Sequence, residues 1–500
     1  MPHYLSDEEL KRTAPAELAA FPSPVPTQIV SNGEYNPLPQ TREQARVEAR
    51  IGDLAAELGP RHGLSRRQFL ASSAGMAAAF LAMNEVFGPL FDVDRAEAAQ
   101  PGMADQRAQA LAGQFIVDCQ THFVRDDFNQ AGLLDLAKYA KQHWNTGLWG
   151  ENTLARFKFD NYLKEIYLDS DTKVALLSGA PFDDQSWDLL TNDQIAMARA
   201  AINKVADSRR LLAHAVFTPK RDNWMAEVER AISTLHPDSW KGYTIGDPLF
   251  PSKQGSYWRL DDDKLMYPFY ERITKAGINT VCVHKGLLPA DYEKSWPGVW
   301  EYATVKDLGK AAKDWPQINF VIYHSALRAF LESPDAVVAE FEKTGHIKWA
   351  TDLAEIPSKY GVSNVYGEIG TSFATCAVAN PRFAAALIGT LCRGLGPDHV
   401  IWGSDSVWYG SPQWQVEAFR RLEIPEDMRK KHHFQALGPA DGLVKSAIFG
   451  GNAARLYKIS VQAAQKALTG DKLAAIKREY VAMGGTRSNA RYGYIHRPVA

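Results

Sequence analysis

The 500-residue chain is poor in cysteine, with only Cys119, Cys282, Cys376 and Cys392, and none of them forms a CxxC pair. A zinc knuckle and a dithiol redox motif are thereby excluded. Cys119 and Cys282 stand inside apolar strand-like runs, where a thiol behaves as a small buried hydrophobe. An excess of either charge is also missing, since 56 Lys and Arg face 58 Asp and Glu for a net charge of −2. No basic footprint therefore points to nucleic acid or to an anionic membrane. No GxGxxG follows the first strand-like run, which takes the dinucleotide fingerprint away from a doubly wound open sheet. The uncharged run Gln68–Asn84 is 17 residues long and diluted by Gly and Ser, short for a bilayer span. No internal repeat or low-complexity tract follows residue 110.

What remains is a composition of 45% hydrophobic and 23% charged residues, that of a soluble globular protein. Residues 1–64 are rich in Pro, Glu, Arg and Ala, with the turn-like SNGEYNPLPQT at 31–41 and one helical stretch from Arg42 to Leu58. They are expected to form an extension outside the main core, partly disordered. Residues 65–99 open on Ser65-Arg66-Arg67-Gln68-Phe69-Leu70 and continue into the weakly hydrophobic run, with Ala96-Glu97-Ala98 at a cleavage position. This order resembles a twin-arginine export signal. It implies passage of the folded protein through the twin-arginine export machinery to the periplasm or the exterior, with a membrane anchor if cleavage fails. The alternative is an amphipathic helix that happens to open on two arginines.

From residue 114 onward, β-rich apolar runs alternate with helical patterns. The runs are Gln114–Phe123, Lys173–Leu177, Leu211–Phe217, Gly242–Ile245, Ile278–His284, Ile318–His324, Val365–Ile369 and Val400–Asp405, with helices such as Ala226–Leu235 and Pro381–Leu395 between them. Continuous apolar strands alternating with helices predict a parallel sheet covered by helices. Eight such units predict an α/β fold, a (β/α)₈ TIM barrel over residues 110–460. Residues 461–500 form a short C-terminal tail with a helix over Ala463–Met483 and a basic aromatic end. The aromatic segment Gly246–Tyr270 follows the fourth strand and is a candidate lid over the catalytic face.

Four strands end in potential ligands: Gln120 and His122 on the first, His284 on the fifth, His324 on the sixth and Asp405 on the eighth. Alternation along a strand puts Asp118, Gln120 and His122 on one face. A lone strand-end histidine is ordinarily a hydrogen-bonded core residue, and His214 on the third strand is assigned that role. Repetition at one topological place changes the balance, because unpaired buried imidazole and carboxylate are costly. A shared metal site inside the barrel mouth follows.

The run Val117-Asp118-Cys119-Gln120-Thr121-His122, the VxxH at His284, the YHS at His324, Trp402-Gly403-Ser404-Asp405 and Gly450-Gly451-Asn452-Ala453-Ala454-Arg455-Leu456 resemble the amidohydrolase superfamily. The branch is the amidohydrolase-related one that includes aminocarboxymuconate-semialdehyde decarboxylase, and the likeness spans about residues 114–458. The resemblance implies one divalent metal ion, zinc first and manganese second, with His122, His284 and Asp405 as ligands. It implies that Asp405 also moves protons, that His324 lies beside the reactive water or substrate, and that Asn452 and Arg455 are structural. It also implies a small-molecule substrate, and a homodimer, since relatives often pair their barrels. The family pattern on strand one is HxH, and here Gln120 replaces the first histidine. An amide oxygen is a weaker, harder donor than imidazole. The outcomes left open are a looser zinc site, a preference for manganese, or loss of the metal.

The expected activity is metal-dependent hydrolysis of a small amide, lactone or ester, with Asp405 as base and His324 polarising the carbonyl or orienting water. The rival is non-oxidative decarboxylation of an aromatic or unsaturated carboxylate, with Lys285, Arg328 and Lys220 as candidate carboxylate partners and Phe123, Trp402, Trp408 and Tyr323 as candidate ring partners. The third reading is a metal-free barrel that binds a small molecule.

Overall fold

The structure is a computed structural model that describes residues 13–15, 23–127 (apart from 33 and 36), 157–181, 188–246, 256–288, 292–485 (apart from 329), 488–489 and 494–496. Eight parallel strands run in sequence order around one sheet. They are β1 (Val117–Thr121), β2 (Val174–Leu177), β3 (Leu211–Val216), β4 (Ser239–Tyr243), β5 (Thr280–His284), β6 (Asn319–Tyr323), β7 (Val365–Glu368) and β8 (Val400–Ile401). The ring closes where Cys119 N donates to Trp402 O, Asp405 N to Gln120 O and His122 N to Ser406 O, at 3.1, 2.9 and 2.7 Å. The protein is thus the expected (β/α)₈ barrel. All residues of β1, β2 and β5 are buried, because helices cover the outer face and side chains fill the interior. That double burial is why the strands read as unbroken apolar runs.

Strand β4 is displaced from its expected position, Gly242–Ile245. Its sequence, Ser239-Trp240-Lys241-Gly242-Tyr243, carries a lysine and a glycine and hides a strand that is nonetheless buried throughout. On β1 the register with β2 shifts between Asp118 and Thr121. Such an irregularity re-aims side chains next to functional sites.

The segment before the barrel does not stand outside the core. Helix α1 (Arg42–Leu58) opens on a capping box between Thr41 and Gln44 and buries Val47, Ile51, Leu54, Ala55 and Leu58. Helix α2 (Arg66–Leu70) leads into α3 (Ser73–Phe87), which buries residues on every side. These side chains share one apolar cluster with Ile322 and Trp402 of the barrel. In α1 the apolar positions recur at helical spacing but are outnumbered by charge, which is why composition alone suggested an outlying extension. Arg66 and Arg67 are exposed and the apolar run behind them is packed. Among the described residues no helix is long and apolar enough to cross a membrane. The expected disorder of residues 1–12 and 16–22 lies outside the described residues.

Helix α4 (Arg95–Ala99) holds Glu97, whose carboxylate takes two hydrogen bonds from Arg421, at 2.5 and 3.0 Å. Both side chains are buried. The C-terminal helix expected over Ala463–Met483 is two helices, Val461–Gly470 and Lys472–Ala482. The break falls at Asp471, which caps the second helix and pairs with buried Arg210 at 2.6 Å. The end of the basic aromatic tail falls mostly outside the described residues, although 494–496 pair antiparallel with 13–15.

Removing one partner of a buried ion pair leaves a charge uncompensated. Glu97→Ala is therefore expected to destabilise the protein by about 3 kcal/mol, read as a lower urea midpoint. An unchanged midpoint would show that α4 contributes nothing to the fold.

Candidate active site

Five of the residues singled out in the sequence meet at the carboxyl end of the barrel, and they meet in two groups. His122 Nε2 lies 3.2 Å from Asp405 Oδ1. His324 Nε2 lies 3.2 Å from His284 Nδ1 and 3.3 Å from Gln120 Nε2. All five are buried.

Backbone carbonyls set the ring orientations. His122 Nδ1 donates to Ser178 O at 2.9 Å, and His324 Nδ1 donates to Gly370 O at 2.8 Å. A neutral imidazole so tied carries its lone pair on Nε2. In His122 that lone pair faces a carboxylate oxygen, a repulsive contact unless a cation or a proton lies between them. The second oxygen, Asp405 Oδ2, accepts from Thr371 Oγ1 at 2.6 Å. Gln120 Oε1 is buried with no hydrogen-bond partner among the described residues. Lone pairs and an orphaned amide oxygen turned inward are what a divalent cation requires, so these residues fit a metal ion.

Local backbone conformation delivers them. His324, Ser325, Thr371 and Asp405 all adopt left-handed φ, between +47° and +60°. None is glycine, and each such residue costs of order 1–3 kcal/mol, a strain that concentrates at functional sites. It turns His324 and Asp405 inward just past β6 and β8. The Glu368 carboxylate supports the turn, accepting from His324 N at 3.1 Å and Gly370 N at 2.6 Å.

Electrostatics follow from burial. Burial pushes the His324 imidazole down to about 4, and burial with the charges of His324 and Lys241 holds His284 well below its ordinary value. Burial raises Glu368 to about 8. Burial also pushes Asp405 up, but with a proton between the pair the His122 hydrogen bond and the charges of His324 and His122 outweigh it and keep the carboxyl below the usual range.

Other sequence candidates take structural roles. His214 bonds to Tyr323 Oη and Ser239 Oγ, at 2.8 and 2.9 Å, as expected of a core histidine. The three cations suggested as carboxylate partners are all engaged. Lys285 bonds Tyr302 O, Thr304 O and Asp307; Arg328 forks onto Glu293; and Lys220 donates to Tyr257 O. Trp402 packs against Phe373, Phe419 and Phe449 in the core, while Trp408 stacks on His122. Residues 247–255 of the suggested lid lie outside the described residues.

Residues that sequence reasoning missed are Glu34, Thr371, Glu368 and Lys241. Glu34, from the segment before α1, brings Oε1 to 3.9 Å from His284 Nδ1. Glu34, His284 and His324 form a group able to hold a metal ion. Burial, then the Asp405 carboxylate, raises Glu34 to about 8. Lys241 lies on the inner face of β4, two residues before Tyr243, whose ring stacks on His284. Its Nζ has no hydrogen-bond partner among the described residues and rests 3.3 Å from the Tyr323 ring centre. The available signals were a glutamate inside the apolar run Val365–Ile369 and a lysine inside SWKGY; nothing local marked Glu34 or Thr371.

A Cβ on Gly403 would sit 1.8 Å from Glu368 Oε1. Gly403→Ala is thus expected to displace that carboxylate, costing about 1–3 kcal/mol in thermal unfolding and loosening the His324 turn. A variant as stable as the parent would show that the Glu368 brace is dispensable.

An uncharacterised TIM-barrel protein from Bordetella bronchiseptica matches at 14% identity and a TM-score of 0.43, covering 70% of this chain and 99% of its own. A 5-carboxyvanillate decarboxylase from Sphingomonas paucimobilis matches at 16% identity and 0.42, covering 69% and 100%. A 2,6-dihydroxybenzoate decarboxylase complexed with 2,6-dihydroxybenzoate matches at 14% and 0.42, covering 69% and 99%. No curated protein matches the chain. The amidohydrolase family model matches residues 117–459, from the first barrel strand to just past the Gly-Gly-Asn-Ala-Ala-Arg-Leu segment, and the chain belongs to the amidohydrolase family.

Proposed function

We propose that the protein is a metal-dependent hydrolase acting on a small amide, lactone or ester. The observation that carries this reading is the His122–Asp405 contact, a histidine lone pair turned onto a carboxylate oxygen at 3.2 Å. His122, His284, Asp405 and Gln120 would hold one divalent ion, zinc or else manganese. When bound, that ion supplies Lewis acidity that makes water a nucleophile near neutral pH.

The chain's own residues do the rest. Asp405, kept ionised by its histidine neighbours and fixed through Oδ2 by Thr371, takes a proton from the attacking water. It then returns that proton to the departing amine or alkoxide. His324 donates a hydrogen bond from Nδ1 to Gly370 O and so presents Nε2 as an acceptor. Of the two roles expected for it, the geometry favours orienting the water over polarising the substrate carbonyl.

A second reading, decarboxylation of an aromatic or unsaturated carboxylate, draws on Lys241. A buried ammonium with no hydrogen-bond partner among the described residues, one layer below the histidines, is a counter-charge for a substrate carboxylate. Following acid release against carbon dioxide release over a panel of lactones, esters and hydroxybenzoates separates the two. Export by a twin-arginine route remains part of the proposal for where the enzyme works, carried by Arg66-Arg67 and the run behind them.

Asp405→Asn is expected to lower turnover by about 10²–10⁴-fold with the circular dichroism spectrum unchanged. Thr371→Val, which removes the bond to Oδ2 together with the 3.2 Å contact to Tyr409 Oη, should lower it about 10–100-fold. Full activity in Asp405→Asn would assign the proton to another group. Elemental analysis of protein grown with ample metal should find about one ion per chain; essentially none, with no gain on reconstitution, would favour the metal-free binding barrel.

A further inference from the structure

The donors on the barrel strands bring little negative charge. His122, His284 and Gln120 would be neutral ligands, His324 beside them is neutral as well, and Asp405 adds one carboxylate. A divalent ion among them would keep a net positive charge in a buried pocket, which is costly. The segment before α1 carries a second carboxylate to the same place. One Glu34 oxygen and one nitrogen each of His284 and His324 lie within 4.8 Å of one another. Donors held at about 2.0–2.2 Å from a common ion stand at comparable separations.

The segment is anchored so as to present that oxygen. Tyr35 is buried and its hydroxyl lies 3.0 Å from Thr375 Oγ1, while Ser31 Oγ donates to Tyr35 O at 2.5 Å. Asn32 Nδ2 donates to Glu34 Oε2 at 2.9 Å, which leaves Oε1 facing His284. Asp405 is held in the same way, by Thr371 on one oxygen with the other turned to a histidine. Farther along, the Ala96-Glu97-Ala98 triplet is tied into the fold through the Glu97–Arg421 pair.

We infer that Glu34 is a ligand of the catalytic metal, so that the N-terminal segment is retained as part of the working enzyme and is not removed with a signal. The inference rests on the metal reading proposed above.

Full-length protein, freed of metal and titrated with Mn²⁺ and Co²⁺, tests it. The parent is expected to bind one equivalent. Glu34→Gln should bind at least about tenfold more weakly and should change the Co²⁺ visible spectrum. Asn32→Ala keeps the carboxylate and frees its second oxygen; it should shift the spectrum at unchanged stoichiometry and serves if Glu34→Gln does not fold. Unchanged affinity and spectrum in a folded Glu34→Gln, or an unchanged spectrum in Asn32→Ala, would overturn the inference while leaving the metal reading intact. A chain processed after Ala98 that holds the ion as tightly would also overturn it. A parent that binds neither ion removes the metal reading, and this inference with it.

Discussion

The contact on which the site depends is the one between the His122 lone pair and the Asp405 carboxylate, because it has no favourable form without a positive charge between the two. It is imposed from outside the pair. Ser178 O accepts a hydrogen bond from the one N–H of a neutral His122, Gly370 O does the same for His324, and Thr371 holds the far oxygen of Asp405. Three groups bonded behind these side chains therefore decide which atoms face inward. In metal sites such outer partners fix the tautomer and orientation of the ligands, and here they are a loop carbonyl after β2, a loop carbonyl after β7 and a hydroxyl one residue further.

The same logic accounts for the strained backbone at the barrel mouth. A side chain following the regular pleat of β6 would leave His324 on the outer face, since Phe320 and Ile322 already point into the helical layer. The left-handed turn at His324 reverses that direction, and Glu368 secures it by accepting two backbone N–H groups. Gly403 and Gly370 are required beside that carboxylate by space alone, since a Cβ at either would fall within 2.5 Å of Glu368 Oε1. The barrel supplies a rigid frame, and the irregular residues just past its strands supply the aim.

Much of this was legible in the sequence. Eight apolar runs gave eight strands, with one displaced where Lys241 interrupts SWKGY, and four strand ends marked the candidate ligands. Repetition of polar residues at equivalent places in a fold is a signal that survives without knowledge of contacts. What could not be read depends on contacts between segments far apart in the chain. Glu34 approaches His284 across 250 residues of sequence, and its own surroundings, SNGEYNPLP, read only as turns. The helix Arg42–Leu58 was recognised, but its membership of the core was not, because the surface it covers is formed by residues remote from it. The apolar run after Arg66-Arg67 is ambiguous for a different reason: a helix buried on all sides and a weak signal segment have the same composition.

The charge balance of the pocket bears on the glutamine at position 120 more directly than any motif. Burial raises Asp118 to about 7, and Glu368 and Glu34 to about 8, with the Asp405 charge adding to each rise. Lys241, itself lowered to about 8 by burial, is the cation whose charge recurs among the influences on this group. With Glu34 as a second carboxylate, the site proposed above would not depend on a second strand-one histidine to attract a divalent ion; it would need a donor that leaves room and adds no positive charge. Gln120 meets that condition, with its amide nitrogen turned to His324 and its oxygen unpartnered. An oxygen-richer donor set is harder than one built on imidazole, and on the proposed metal reading it would favour manganese over zinc. On the metal reading proposed above, the departure at position 120 would be a change in the kind of ion the barrel prefers, made consistent by carboxylates that the strand motif does not contain.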